Sequence, residues 1–188
     1  MLRDTFYGGA VRSWDNNGVQ IFLLKAENDI VYVFTHFLRH FYKGGIDLRQ
    51  ICDWIRLIWT YKEKMDVRLL ESRIQKMGLM TEWKAFYALA TKYLGMPEIS
   101  GAMFQVSGDK KWEKKADLIM EFVLESGYFG HNRDMSYYSK YPFVVRKTIS
   151  MGRRIADMFK HSRIFPIDTL RFMPYIVING LRSAARGE

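Results

Sequence analysis

His36 and His40 stand four residues apart, one helical turn, so on a helix both imidazoles project from the same side. That spacing suits two metal ligands. A third ligand would have to come from elsewhere, and no glutamate lies between them as it does in a zinc-protease helix. At about 100° per residue the pair shares a face with Asp29, Tyr32, Arg39 and Lys43. This polar, partly cationic face is read as meeting a partner domain, a nucleotide phosphate or solvent, and no metal ligand is assigned. Arg49 and Asp53 repeat the four-residue spacing further on. They fit an ion pair within one helix, or an Arg49 that faces an anion while Asp53 orients it. The stretch Gly127-Tyr128-Phe129-Gly130-His131-Asn132-Arg133-Asp134 concentrates an imidazole, a guanidinium and a carboxylate between helices. Loops of that mixture either carry function or serve as turns with anchoring aromatics. The P-loop, G-x-S-x-G, C-x-x-C and G-x-G-x-x-G patterns do not occur.

The elements that must position these residues can be read from hydrophobic period. Asn17-Gly18, flanked by Val11 and the run Val19 to Leu24, predicts a short hairpin within residues 1–24. Two strands are marginal alone, so the hairpin is expected to lean on the helices or on something outside the chain. From about residue 26 the period becomes helical, with Ile30, Val33, Phe34, Phe37, Leu38 and Phe41 on one stripe and Gly44-Gly45 as the stop. Asp47, with Gln50 three residues on, predicts a capping box for a second helix burying Leu48, Ile51, Cys52, Ile55, Ile58 and Trp59. A third helix runs from an Asp66 cap to Gly78. A fourth runs from a Thr81 cap to Gly95, burying Trp83, Phe86, Tyr87, Ala90 and Leu94. Residues 97–108 read as loop, 109–125 as a fifth helix with Trp112, Ile119, Phe122 and Val123 inward, and 126–141 as a connection. Two basic helices follow at about 143–160 and 167–183, the last kinked or delayed by Pro174. The fold expected is mainly α, a single domain of about six to seven helices over 1–188 with an N-terminal β-hairpin. Within it, 26–95 forms a four-helix unit and 109–188 the basic helices.

Composition agrees with a packed domain: 188 residues, 48% hydrophobic and 15% aromatic. Trp54, Trp59, Trp83 and Trp112 lie on or beside helical stripes and are assigned to core packing. The single cysteine, Cys52, excludes an internal disulfide and is expected to be a small buried hydrophobe. No run approaches the ~20 apolar residues of a membrane span, and the start lacks a signal-peptide core, so a cytoplasmic location is expected. The net charge of +9 is uneven. Residues 131–188 hold 11 Lys/Arg against 4 Asp/Glu, while 1–130 hold 18 against 16. A basic carboxyl-terminal half could attract nucleic acid, anionic lipid, nucleotide phosphates or an acidic partner, or could simply be solvated surface.

Three stretches resemble the uncharacterised nucleotidyltransferase family of bacteria. They are Ile21 to Asp29, then His36-Phe37-Leu38-Arg39-His40-Phe41, then Gly45 to Trp54, in which Leu48-Arg49 and Asp53-Trp54 fit an L-R-x-x-x-D-[LW] helix. The Gly127 to Asp134 segment is similar to a G-[NY]-F-G-H motif late in such proteins, so the resemblance runs from about residue 18 to the end. It implies that His36, His40, Arg49 and Asp53, with His131 and Arg133, face a substrate or nucleotide. It also implies a Gly-rich turn and a D-[IL]-D strand pair, gripping Mg²⁺ and a nucleoside triphosphate, in an amino-terminal part that precedes these residues. Gly8-Gly9-Ala10-Val11-Arg12 faintly resembles the Gly-Gly-x-Val-Arg stretch of nucleotide-adding polymerases. The following Glu27 and Asp29 open a helix, however, and would diverge by about 200°, so that stretch is rejected as a catalytic motif. The expectation is the helical substrate-binding or accessory portion of a nucleotidyltransferase-like protein, not catalytic alone, with the catalytic half a separate polypeptide or lost from a fragment. The other function expected is a stand-alone helical module that binds nucleic acid or an acidic protein through the basic half.

Overall fold

The computed structural model describes residues 12–43, 45–126 and 140–170, with single positions at 136, 174, 178 and 182. Two strands, β1 (Arg12–Asn16) and β2 (Val19–Leu23), pair antiparallel with Asn16 opposite Val19 and Arg12 opposite Leu23. Asn17 and Gly18 both take positive φ, 52° and 84°, the combination a two-residue hairpin turn requires. The Gly18 N–H donates to Asp15 Oδ1 at 3.1 Å. The hairpin predicted from Asn17-Gly18 is present.

Helices follow: α1 (Ala26–Lys43), α2 (Leu48–Tyr61), α3 (Val67–Lys76), α4 (Met80–Tyr93), a 3₁₀ turn (Ala102–Phe104), α5 (Lys110–Ser126) and α6 (Phe143–Ile164). Residues 166–170 are helical again. The protein is mainly α-helical with an N-terminal hairpin, as the periods required. The expected loop over 97–108 contains the 3₁₀ turn, which buries Met103 and Phe104. The last basic helix predicted for 167–183 is described only in part, and most of the 126–141 connection lies outside the described residues.

The core is aromatic. α1 turns Ile30, Phe34, Phe37, Leu38 and Phe41 inward, and α2 and α4 pack on that stripe. Phe34 lies 5.2 Å from Trp54 and 5.0 Å from Trp83, and the two indoles meet edge to face at 4.7 Å. Each such buried ring contributes about 2–3 kcal/mol of transfer free energy, and its edge-to-face geometry adds about 0.5–1.5 kcal/mol. α5 packs along α4, and Met158, His161, Ile164 and Phe165 close the structure from the carboxyl-terminal side.

Four local expectations are corrected. Cys52 is exposed rather than buried, and Trp59 is 41% exposed with Lys62 Nζ 3.3 Å from its ring centroid. The buried stripe of α2 is Ile51, Trp54, Ile55 and Ile58. Trp54 is drawn in by Trp83, and Cys52 and Trp59 then lie about 90–110° from the stripe's centre. Trp112 is only half-buried, flanked by Lys84 and Lys111. Finally, α4 starts at Met80 with Leu79 in the cap position, so Thr81 is no cap. The reason is the exit from α3. Gly78 takes φ 70°, its N–H bonds Gln75 O, and the Leu79 N–H bonds Ile74 O. This Schellman turn satisfies the carbonyls of α3 and feeds straight into α4.

The caps on α2 and α3 are as read. The Asp47 carboxylate accepts from the Arg49 N–H, and the Asp66 carboxylate from the Leu69 N–H. Gln50 does not complete the box, because its Oε1 has no partner. Glu27, which the sequence places in the first turn of α1, is fully buried and accepts the Asp66 N–H at 2.6 Å, tying α1 to the start of α3. Glu27→Ala is expected to cost about 2–3 kcal/mol in urea unfolding, because a buried backbone donor loses a charged acceptor. A cost below about 1 kcal/mol would mean that water replaces the carboxylate.

Candidate functional site

The apolar stripe of α1 fixes the helix against the core and thereby fixes what its other side presents. Tyr32, His36, Arg39 and Lys43 are exposed there, and His40 is half-buried at the margin. The phenol ring of Tyr32 stacks on His36 with centroids 6.0 Å apart, and the two imidazole centroids are 4.7 Å apart. The spacing of four residues brings His36 Nε2 and His40 Nε2 to 3.1 Å. At that distance one Nε2–H is donated from one ring to the other. Partial burial, then His36, Arg39 and Lys43, hold the His40 pKa below its usual value. The shift favours the neutral form of the ring at neutral pH.

Arg49 and Asp53 sit on α2, both exposed. No ion pair joins them, so the intrahelical account of their spacing is set aside. The neighbouring Cys52 thiol is pushed up by desolvation, then by Asp53 and Asp47, which leaves it protonated and unreactive at neutral pH. The structure thus brings His36 and His40 into contact and leaves Arg49 and Asp53 facing outward on the adjoining helix. His131 and Arg133 lie outside the described residues.

A second polar cluster, inside the protein, escaped the reading of the sequence. Tyr42 Oη donates to Glu82 Oε1 at 3.1 Å, and Asp168 faces the same carboxyl. His161 lies against the rings of Phe41, Tyr42 and Phe122. Lys115 Nζ donates to the Ile164 carbonyl and rides 4.9 Å from the Phe165 ring. Burial and then the neighbouring Asp168 push the Glu82 carboxyl up to about 7. One signal was legible: Glu82 heads the buried face Glu82, Ala85, Phe86, Leu89 of α4, so its carboxylate is in register with apolar residues.

The basic carboxyl-terminal half is exposed on α6, but not as charge alone. Val144 and Phe159 are among its most exposed side chains, beside Lys160 and Arg163. Among the described residues no helix is long and apolar enough to cross a membrane. Nor do the described residues hold a group of three or more His, Cys, Asp or Glu that could grip a metal ion. They do not fit a Mg²⁺–triphosphate cradle, and no step of transfer chemistry is assigned to them.

Residues 5–95 match the family described as uncharacterised nucleotidyltransferase. The match begins earlier than the resemblance that the sequence suggested, taking in Gly8-Gly9 and the whole hairpin, and it stops at the end of α4, short of the Gly127 to Asp134 segment. No curated protein and no solved structure matches the chain.

Proposed function

We propose that this chain is the helical substrate-binding portion of a nucleotidyltransferase-like protein and acts with a catalytic sheet that lies outside these residues, on the same or another polypeptide. The observation that carries this reading is the hairpin. It lies within the family-matched residues, yet from Ser13 to Leu23 both its faces are exposed, with Trp14 and Phe22 at 56% and 61%. Two strands presenting apolar side chains on both faces are marginal in water and are stabilised by pairing with further strands. Beyond the hairpin, the outward His36, His40 and Arg49 would meet the anionic phosphates of a nucleotide, and Asp53 would orient Arg49. Mg²⁺ and the paired carboxylates that hold it would come with the sheet.

The test is equilibrium binding of a fluorescent ATP analogue to the purified 188-residue chain. Arg49→Ala and His40→Ala are each expected to weaken binding by about tenfold, the worth of one charge-assisted hydrogen bond. The circular-dichroism melt should not change, since neither side chain belongs to the core. Unchanged affinity in both variants would overturn the assignment of this face. Nucleotide transfer by the chain alone with Mg²⁺ present would overturn its accessory role.

A further inference from the structure

We propose that His36 and His40 form a two-point chelate for a divalent transition-metal ion of the imidazole-preferring kind, with Zn²⁺ as its representative. The inference does not rest on the nucleotide reading. Two imidazole nitrogens that each bind one Zn²⁺ at about 2.0–2.1 Å lie about 2.9 Å apart at a right angle and about 3.4 Å apart at the tetrahedral angle. The observed Nε2 to Nε2 separation of 3.1 Å falls between those limits. The two nitrogens are therefore already spaced as a metal would hold them, and the ion would displace the hydrogen they now share and sit about 1.3 Å to one side of the line between them. Both rings would carry their remaining proton on Nδ1.

The pair is also held in place. α1 is anchored by Phe34, Phe37 and Phe41, all fully buried, and the Tyr32 ring stacks on His36. Little ordering entropy then remains to be lost on binding, and the second imidazole acts at high effective concentration once the first is engaged. Among the described residues no third His, Cys, Asp or Glu joins the pair. Two imidazoles fill two of the four positions zinc prefers, and the others would go to further donors such as the oxygens of a ligand. Arg39 and Lys43 on the same face repel a bare dication and so favour an anionic oxygen in those positions. Imidazole donors select Zn²⁺, Cu²⁺ or Ni²⁺ over Mg²⁺ and Ca²⁺, which prefer oxygen.

The experiment is calorimetric titration of the purified chain with Zn²⁺ near neutral pH, paired with ¹⁵N-resolved NMR of the imidazole rings. One Zn²⁺ per chain is expected, with the Nε2 resonances of both His36 and His40 shifting on binding. His36→Gln and His40→Gln should each weaken binding by about a hundredfold, the loss of the chelate's second point. Cys52→Ser should leave it unchanged. The proposal is overturned if the chain takes up no Zn²⁺, or if the double His36→Gln, His40→Gln variant binds as the parent does. It is equally overturned if the ring resonances of His36 and His40 do not move in the unsubstituted chain, a readout that needs no variant to fold.

Discussion

Phe41→Ala is expected to lower the free energy of unfolding by about 3–5 kcal/mol, the range for emptying a fully buried phenylalanine site. Phe41 lies in the last turn of α1 and is fully buried, touching helices from both ends of the chain. Its ring lies 5.4 Å from Phe86 on α4, 5.1 Å from Phe122 on α5, 4.6 Å from His161 on α6 and 6.0 Å from Phe165. Truncation leaves a cavity walled by aromatic rings, which are too large to collapse into it, and removes one wall of the His161 pocket. Urea unfolding should therefore show a reduced midpoint, and limited proteolysis should open residues 140–170 first, because α6 is held partly through these contacts. Trp59→Ala on the surface of α2 serves as the contrast, expected to cost within about 1 kcal/mol. A Phe41→Ala cost equally small would mean that the carboxyl-terminal unit does not pack on α1.

The second expected result concerns Glu82. In the folded protein its carboxyl keeps a proton up to about 7, against 4.5 when free. Between those values the native state binds more protons than the unfolded chain, so stability falls as pH rises through this window and levels off above it. The shift corresponds to about 3 kcal/mol as an upper bound. The groups facing Glu82 are Tyr42 from α1, Lys115 from α5 and Asp168 beyond α6, with His161 against the far side of Tyr42. Lys115 opposes the effect by attracting the ionised carboxylate, and its own pKa is lowered, by desolvation first. His40 works in the other direction, since a lowered histidine pKa makes stability rise with pH, but it is too exposed for a large contribution. Glu82→Gln isolates the term: the amide keeps an oxygen for the Tyr42 hydroxyl and cannot ionise. The variant should match the parent near pH 4.5 and exceed it by about 2–3 kcal/mol at pH 8. If it is instead less stable at pH 8, the buried carboxylate is paired rather than penalised, and the raised pKa is wrong in sign.

What was legible before any coordinates follows from chain-local physics. The Asn17-Gly18 turn, the α1 stripe, the Asp47 and Asp66 caps and the stops at Gly45, Gly78 and Gly95 each depend on φ preference, on a side chain reaching a nearby N–H, or on a 3.6-residue period. Neighbours along the chain are enough to set those. The His36 and His40 pairing on one face was legible for the same reason. Their Nε2 separation was not, because ring rotation is set by Tyr32 stacking and by the margin of burial at His40.

Other features depended on which surfaces meet. Nothing in Cys52, Trp54 and Trp59 taken along α2 says which edge of the stripe faces inward. Trp83, from a helix whose packing no local rule specifies, decides it. The Thr81 cap failed because the Schellman exit of α3 makes a cap unnecessary, a consequence of two helices joined end to end. Glu27 and Glu82 lie in the first turns of α1 and α4, and only the approach of Asp66, Tyr42 and Asp168 from about 40 or more positions away in sequence buries them. By itself, then, the sequence determined where helices begin and end, which face of α1 is polar, and the family likeness of the first half. Tertiary structure alone decided which charges are buried, which aromatics are exposed and how closely two imidazoles approach, because burial and distance are properties of packed surfaces rather than of chain neighbours.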